Sequence, residues 1–141
     1  MEDEIGREVV LHYRDGSTCR GQLRREFRPG DGEVSIITAD GDEVCAEFDG
    51  LKAVFFIKDP RRRDLEVQIS EIEVMRQTGG ASARVEFFDG EVVHGRVAQY
   101  SVKERGFFLF PSAPASNNER IFVVMQALKT LFIDTLAEGE A

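Results

Sequence analysis

The stretch Tyr13-Arg14-Asp15-Gly16-Ser17-Thr18-Cys19-Arg20-Gly21 returns 74 residues later, Asp15 becoming Asp89, as Phe87-Phe88-Asp89-Gly90-Glu91-Val92-Val93-His94-Gly95. In each copy an apolar alternation runs into Asp-Gly, a dipeptide that accepts the positive φ of a tight hairpin turn, and then into a second strand that contains a glycine. A glycine within a strand marks a bulge or a sharp bend.

Around the first copy, Val9, Leu11 and Tyr13 alternate with Val10, His12 and Arg14, the period-two pattern of a strand with one buried face. After the turn Cys19, Gly21 and Leu23 continue the inward set, while Arg20, Gln22 and Arg24 point away. Pro29-Gly30-Asp31-Gly32 forms a turn cluster before a third strand over 33–38. Asp40-Gly41-Asp42 marks a further tight turn, Val44 to Phe48 a fourth strand, and Leu51 to Ile57 a fifth that follows a short turn at Asp49-Gly50.

The second copy repeats this order. Val85 and Phe87 match Leu11 and Tyr13, and Gly95 and Val97 match Gly21 and Leu23. Gly106 to Phe110 lies over Glu33 to Ile37 at an offset of 73, and Leu128 to Phe132 over Leu51 to Phe55 at an offset of 77. Both changes of length fall in turns, where insertions are tolerated. The pattern predicts an all-β chain of two tandem five-stranded units related by internal duplication, one over residues 5–60 and one over 83–136. Residues 137–141 read as an acidic tail. In the connector, 61–82, Leu65, Val67 and Ile69 alternate as in a strand, whereas Leu65, Ile69, Ile72 and Met75 share one face of a short helix that Asp64 would cap.

Of 141 residues, 42% are hydrophobic and 31% charged, the profile of a globular protein, and eleven Phe with no Trp are available for the core. No apolar run approaches the roughly 20 residues that span a bilayer, and the chain opens on Glu2, Asp3 and Glu4, so a cytoplasmic protein with no membrane contact is expected. A net charge of −8 opposes a general affinity for nucleic acid. Cys19 and Cys45 lie opposite Val93 and Phe122 of the second copy and read as small buried apolar residues, with neither a disulfide nor a metal site expected. His12 and His94 do not correspond between the copies, both read as surface residues, and no nucleophile or carboxylate is spaced to partner them. The chain is therefore expected to be non-catalytic and to hold no cofactor.

The segments Val9-x-Leu11-x-Tyr13-x-Asp15-Gly16 with Gly21-Gln22-Leu23, and Val85-x-Phe87-x-Asp89-Gly90 with Gly95-Arg96-Val97, resemble the first half of the Sm-like motif. Asp89 to Gly95, Gly106 to Pro111 and Ser116 to Val123 also resemble a group of bacterial domains carrying DGE-x-x-x-G, GFFLFP and SNNER-x-FV patterns. The resemblance covers most of 9–59 and 84–134 and implies small five-stranded barrels of Sm-like or SH3-like type. RNA-binding Sm-like proteins carry a basic residue before a glycine in the second half of the motif. At those places stand Glu47-Phe48-Asp49-Gly50 and Val124-Met125-Gln126-Ala127.

Four groups of residues are candidates for contact. Phe107 to Phe110 are consecutive and therefore face both sides of a strand; one face enters the core, and the other either meets the first copy or forms an aromatic patch for a partner or for self-association. Asn117 and Asn118, in a loop longer than its counterpart, either supply turn geometry or, with Arg105 and Arg120, hold a peptide or an anion. With Tyr100, Phe108 and Phe110 these residues form the expected partner-binding surface. Arg20, Arg24, Arg25 and Arg28, with Phe27 among them, would bind phosphate and stack a base if the chain were an RNA-binding protein. Arg61-Arg62-Arg63 resembles the arginine cluster of cyclic-di-nucleotide-binding PilZ domains and implies a nucleotide-responsive effector, although the D/N-x-S-x-x-G segment of that family is absent. The expected function is an interaction or regulatory module that binds a protein through its second half.

Overall fold

A computed structural model describes residues 5–27, 29–57, 81–97, 105–111 and 118–134. The first half contains β1 (Glu8–Tyr13), β2 (Thr18–Leu23), β3 (Glu33–Ile37), β4 (Glu43–Glu47) and β5 (Leu51–Ile57). The second contains β6 (Ala81–Phe87), β7 (Val92–Val97), β8 (Gly106–Pro111), β9 (Asn118–Val124) and β10 (Leu128–Asp134). Of the connector 61–82, whose sequence leaves strand and helix open, residues 61–80 lie outside the described residues, as does the tail 137–141, and Ala81 and Ser82 open β6. Three of the Asp-Gly turns behave as the sequence predicts: Gly16, Gly41 and Gly90 have φ of +95°, +91° and +96°. The short turns before β5 and β10 are single turns of 3-10 helix, Phe48–Gly50 and Met125–Ala127.

The ten strands form one antiparallel sheet in the order β10-β6-β7-β8-β9-β5-β1-β2-β3-β4. The two halves pair residue for residue alike. Leu11 stands opposite Val54 and Cys19, as Val85 stands opposite Leu131 and Val93. Ser35 faces Cys45 as Phe108 faces Phe122. Even the register shift at His12/Tyr13 has its counterpart at Leu128/Thr130.

Two separate barrels are not what these strands build, and hydrogen-bonding capacity is the reason. A strand has two edges to offer. Closing the first half would require β5 to pair with β4, but β5 already pairs with β1 on one edge and β9 on the other. The edge of β9 that would close the second half against β10 is likewise taken by β5. The result is one open sheet joined at its centre, with β4 and β10 as its end strands.

Gly21 and Gly95 allow the next strand to cross close over β2 and β7. A Cβ at Gly21 would lie 2.5 Å from the carbonyl oxygen of Ile37, and one at Gly95 would lie 2.5 Å from both Leu109 Cδ2 and the carbonyl oxygen of Phe110. Both approaches are closer than real Cβ atoms tolerate. The sharp bend that an in-strand glycine implies is therefore a close crossing of strands.

At the centre each half contributes side chains to the other. Val54 and Phe56 share a face with Val9 and Leu11 and, across the β5–β9 ladder, with Phe122 and Phe108. Phe27 closes this cluster, with ring centroids 5.6 Å from Phe56, 5.8 Å from Phe108 and 4.9 Å from Phe122. Ala53 and Phe55 lie on the opposite face with Val123, Ile121, Phe107 and Leu109. The consecutive phenylalanines of β8 are thus covered on both faces by the joining of the halves, with Phe107 buried and Phe108 packed against the core.

Candidate functional site

Beside Lys52 the joint between the halves opens to solvent. The backbone N–H of Arg14 donates to the carbonyl of Gly50 at 3.0 Å, and at the corresponding point of the second half Phe88 donates to Ala127 at 3.2 Å. Each hairpin is thereby fixed to the 3-10 turn that precedes the fifth strand of its own half. Between the two lies an open pocket of about 170 Å³ lined by Arg14, Lys52, Phe87, Phe88, Asp89 and Ala127.

Lys52 forms the floor. Its side chain is 9% exposed, and Nζ lies 2.8 Å from Asp89 Oδ2, also bonds Glu91 Oε1, and sits 4.8 Å from the centre of the Phe87 ring. Burial acts against the charged ammonium, but the bonds it donates to Asp89 and Glu91 outweigh it and hold the Lys52 pKa above its ordinary value. The same contact, with the Glu91 N–H donated to Oδ1 at 3.0 Å, holds the Asp89 carboxyl below its usual range. Arg14 reaches across to donate from Nη1 to the carbonyl of Asp49 at 3.2 Å. Phe88 stands at the rim with 65% of its surface exposed, the largest fraction among the exposed large hydrophobic residues described. The pocket's buried charge is thus already paired, while an aromatic ring and a guanidinium are presented outward.

The residues expected from sequence to bind a partner lie elsewhere. Arg120 stacks between Phe56 and Phe108, 4.4 and 4.5 Å from their ring centres, on the cluster that joins the halves. Arg105 is exposed and its guanidinium lies over Gly32, where a Cβ would be 3.4 Å from Cζ. Phe110 is half-buried opposite Arg96, and Asn118 pairs with Ile57 in the central ladder. Tyr100 and Asn117 lie outside the described residues. Of the phosphate-binding candidates, Arg20 is paired with Glu8 and Arg24 Nε lies 3.0 Å from a Glu43 carboxylate oxygen. Arg25 is exposed, and Arg28 lies outside the described residues.

Three further expectations are settled by position. Cys45, expected inside, is exposed because it lies on the end strand, and Cys19 is half-buried; neither forms a disulfide. His12, expected in solvent, is half-buried against Phe55 at 4.1 Å between ring centres. Its pKa is lowered by burial and then by the Lys52 charge. His94 is exposed, as the sequence suggests. No three His, Cys, Asp or Glu side chains among the described residues converge on a metal position, and no described helix is long and apolar enough to cross a membrane.

The chain belongs to the family described as "Family of unknown function (DUF6982)", whose model matches residues 6–134. No curated protein and no solved structure gives a match.

Proposed function

We propose that this chain is a non-catalytic interaction module that binds a protein partner at the joint, through the pocket rimmed by Phe88 and Arg14. The observation that carries this reading is Phe88 itself: 65% exposed, beside a pocket whose charged floor is neutralised from within. A large apolar side chain held outward at the edge of a concavity is an anchor for a complementary surface. Val92, two residues beyond Gly90 and 40% exposed, is a second exposed apolar side chain of the same hairpin. Asp15 and Asp49 beside Arg14, together with the net charge of −8, favour a partner segment in which an apolar side chain is flanked by basic residues.

RNA is the weaker alternative. Arg20 and Arg24, half of the proposed phosphate-binding set, already have carboxylate partners, and the charge balance is unfavourable. A photo-reactive phenylalanine analogue at position 88 tests the choice in cells. A discrete protein adduct that survives ribonuclease and is lost on Arg14→Glu supports the proposal. Absence of an adduct, or an adduct that ribonuclease removes, overturns it.

A further inference from the structure

The centre of the sheet shows how a fifth strand of one half meets a fourth strand of the other. There β5 pairs with β9, and by register β9 corresponds to β4 and β5 to β10. The two ends of the sheet therefore display the same two kinds of strand, and among the described residues their outer edges are unpaired. We infer that the ends are docking surfaces for a second copy of this chain, with β10 of one molecule adding to β4 of the next in the manner of the β5–β9 ladder.

Phe132 is the first support. It corresponds to Phe55, which β9 and its surroundings bury to 8% exposure. On the end strand Phe132 is 59% exposed, although its ladder partner Arg84 matches the Val10 that faces Phe55. Among the described residues Phe132 lacks the neighbouring fourth strand that covers Phe55, and Glu86 stands where His12 stacks on Phe55 at 4.1 Å.

The register and charge of the ends are the second. In the centre Ala53, Val54 and Phe55 face Val123, Phe122 and Ile121. Carried to the ends by the 77-residue offset, the same register sets Thr130, Leu131 and Phe132 against Ala46, Cys45 and Val44. One step further, Lys129 meets Glu47. Lys129 is also the counterpart of Lys52, and Asp15 that of Asp89. The ion pair that joins the halves at the centre would recur between molecules, from Lys129 to Asp15. Both Lys129 and Asp15 are exposed. A β4-to-β4 dimer is disfavoured, since Glu43 and Glu47 would bring like charges together across the new ladder. Each molecule has one edge of each kind, so the contact is head-to-tail, giving a closed ring if the rotation per molecule closes and a filament if it does not.

Sedimentation velocity and equilibrium over a wide range of concentration test this. The expected result is assembly beyond the monomer, weakened at least about tenfold by Phe132→Asp, since docking buries that ring. Lys129→Glu and Glu47→Lys should each weaken association by a smaller factor, and an equimolar mixture of the two variants should recover it, because the charges at that register are opposite again in alternating contacts. Unchanged melting curves for all three variants confirm that the fold is retained. Phe88→Asp, which tests the proposed partner site, should leave assembly unchanged. A protein that stays monomeric at every concentration overturns the inference, as does assembly insensitive to Phe132→Asp and to both charge reversals.

Discussion

The ammonium of Lys52 lies 2.8 Å from Oδ2 of Asp89, and this contact couples the fifth strand of one half to the hairpin turn of the other. Lys52→Met leaves Asp89 and Glu91 facing each other without a cation and should cost about 1–3 kcal/mol, read from urea midpoints. Because the Asp89 pKa is depressed, its contribution is complete above the ordinary carboxylate range and is lost as pH falls through the lowered value. The raised Lys52 pKa gives the opposite limb: its contribution holds below the ordinary value of 10.5 and is lost as pH rises past the raised one. Asp89→Asn should flatten the acid limb; an unchanged limb would show that the contact does not persist in solution.

Gly21→Ala and Gly95→Ala each force a methyl to within 2.5 Å of a backbone carbonyl oxygen. Each should lower stability by about 1–3 kcal/mol. Gly50 has an ordinary φ and nothing within 4 Å of an added Cβ, so Gly50→Ala should stay within about 0.5 kcal/mol. Denaturant titration of the three variants separates close crossing from a general intolerance of side chains at glycine.

Phe27 leaves the β2–β3 connection to contact rings from both halves. Phe27→Ala should destabilise by about 3–5 kcal/mol. The loss should appear as one lowered transition in calorimetry; a second half that melts at its original temperature would show that the cluster does not couple the two.

His12 has a lowered pKa, so the folded state resists its protonation. Its neutral form is compatible with folding above its ordinary value of 6.5, and stability declines as pH falls from there through the lowered value. Between about pH 7.5 and 5.5, wild type should lose more stability than His12→Gln. Equal losses would place the titration elsewhere.

Local features of this fold are readable in the sequence because they are set by neighbouring residues. Asp15-Gly16, Asp40-Gly41 and Asp89-Gly90 dictate their turns, and period-two alternation dictates which side chains share a face. The joining of the two halves into one sheet is not readable, since nothing near Leu51 to Ile57 states that its second edge goes to residues more than sixty positions away. The run Phe107 to Phe110 signals that both faces are covered, but not by what. Lys52 and Lys129 occupy equivalent places in the pattern, yet one is buried at the centre and the other exposed at an end. The pocket had one visible sign in the opening stretch: where the first copy has Arg14 before its Asp-Gly turn, the second has Phe88, an aromatic residue at a position the pattern leaves outside the core.

Synthesis from the N-terminus produces β5 well before the strand that covers it. Phe55 pairs with Ile121, so 66 further residues must be polymerised before that edge finds its partner. At roughly 5–20 residues per second, the nascent first half carries a bare strand reading Ala53-Val54-Phe55-Phe56 for roughly 3–13 s. During that interval the same edge that joins the mature molecule is open to any other unpaired strand, including the β5 of a neighbouring nascent chain on the same message.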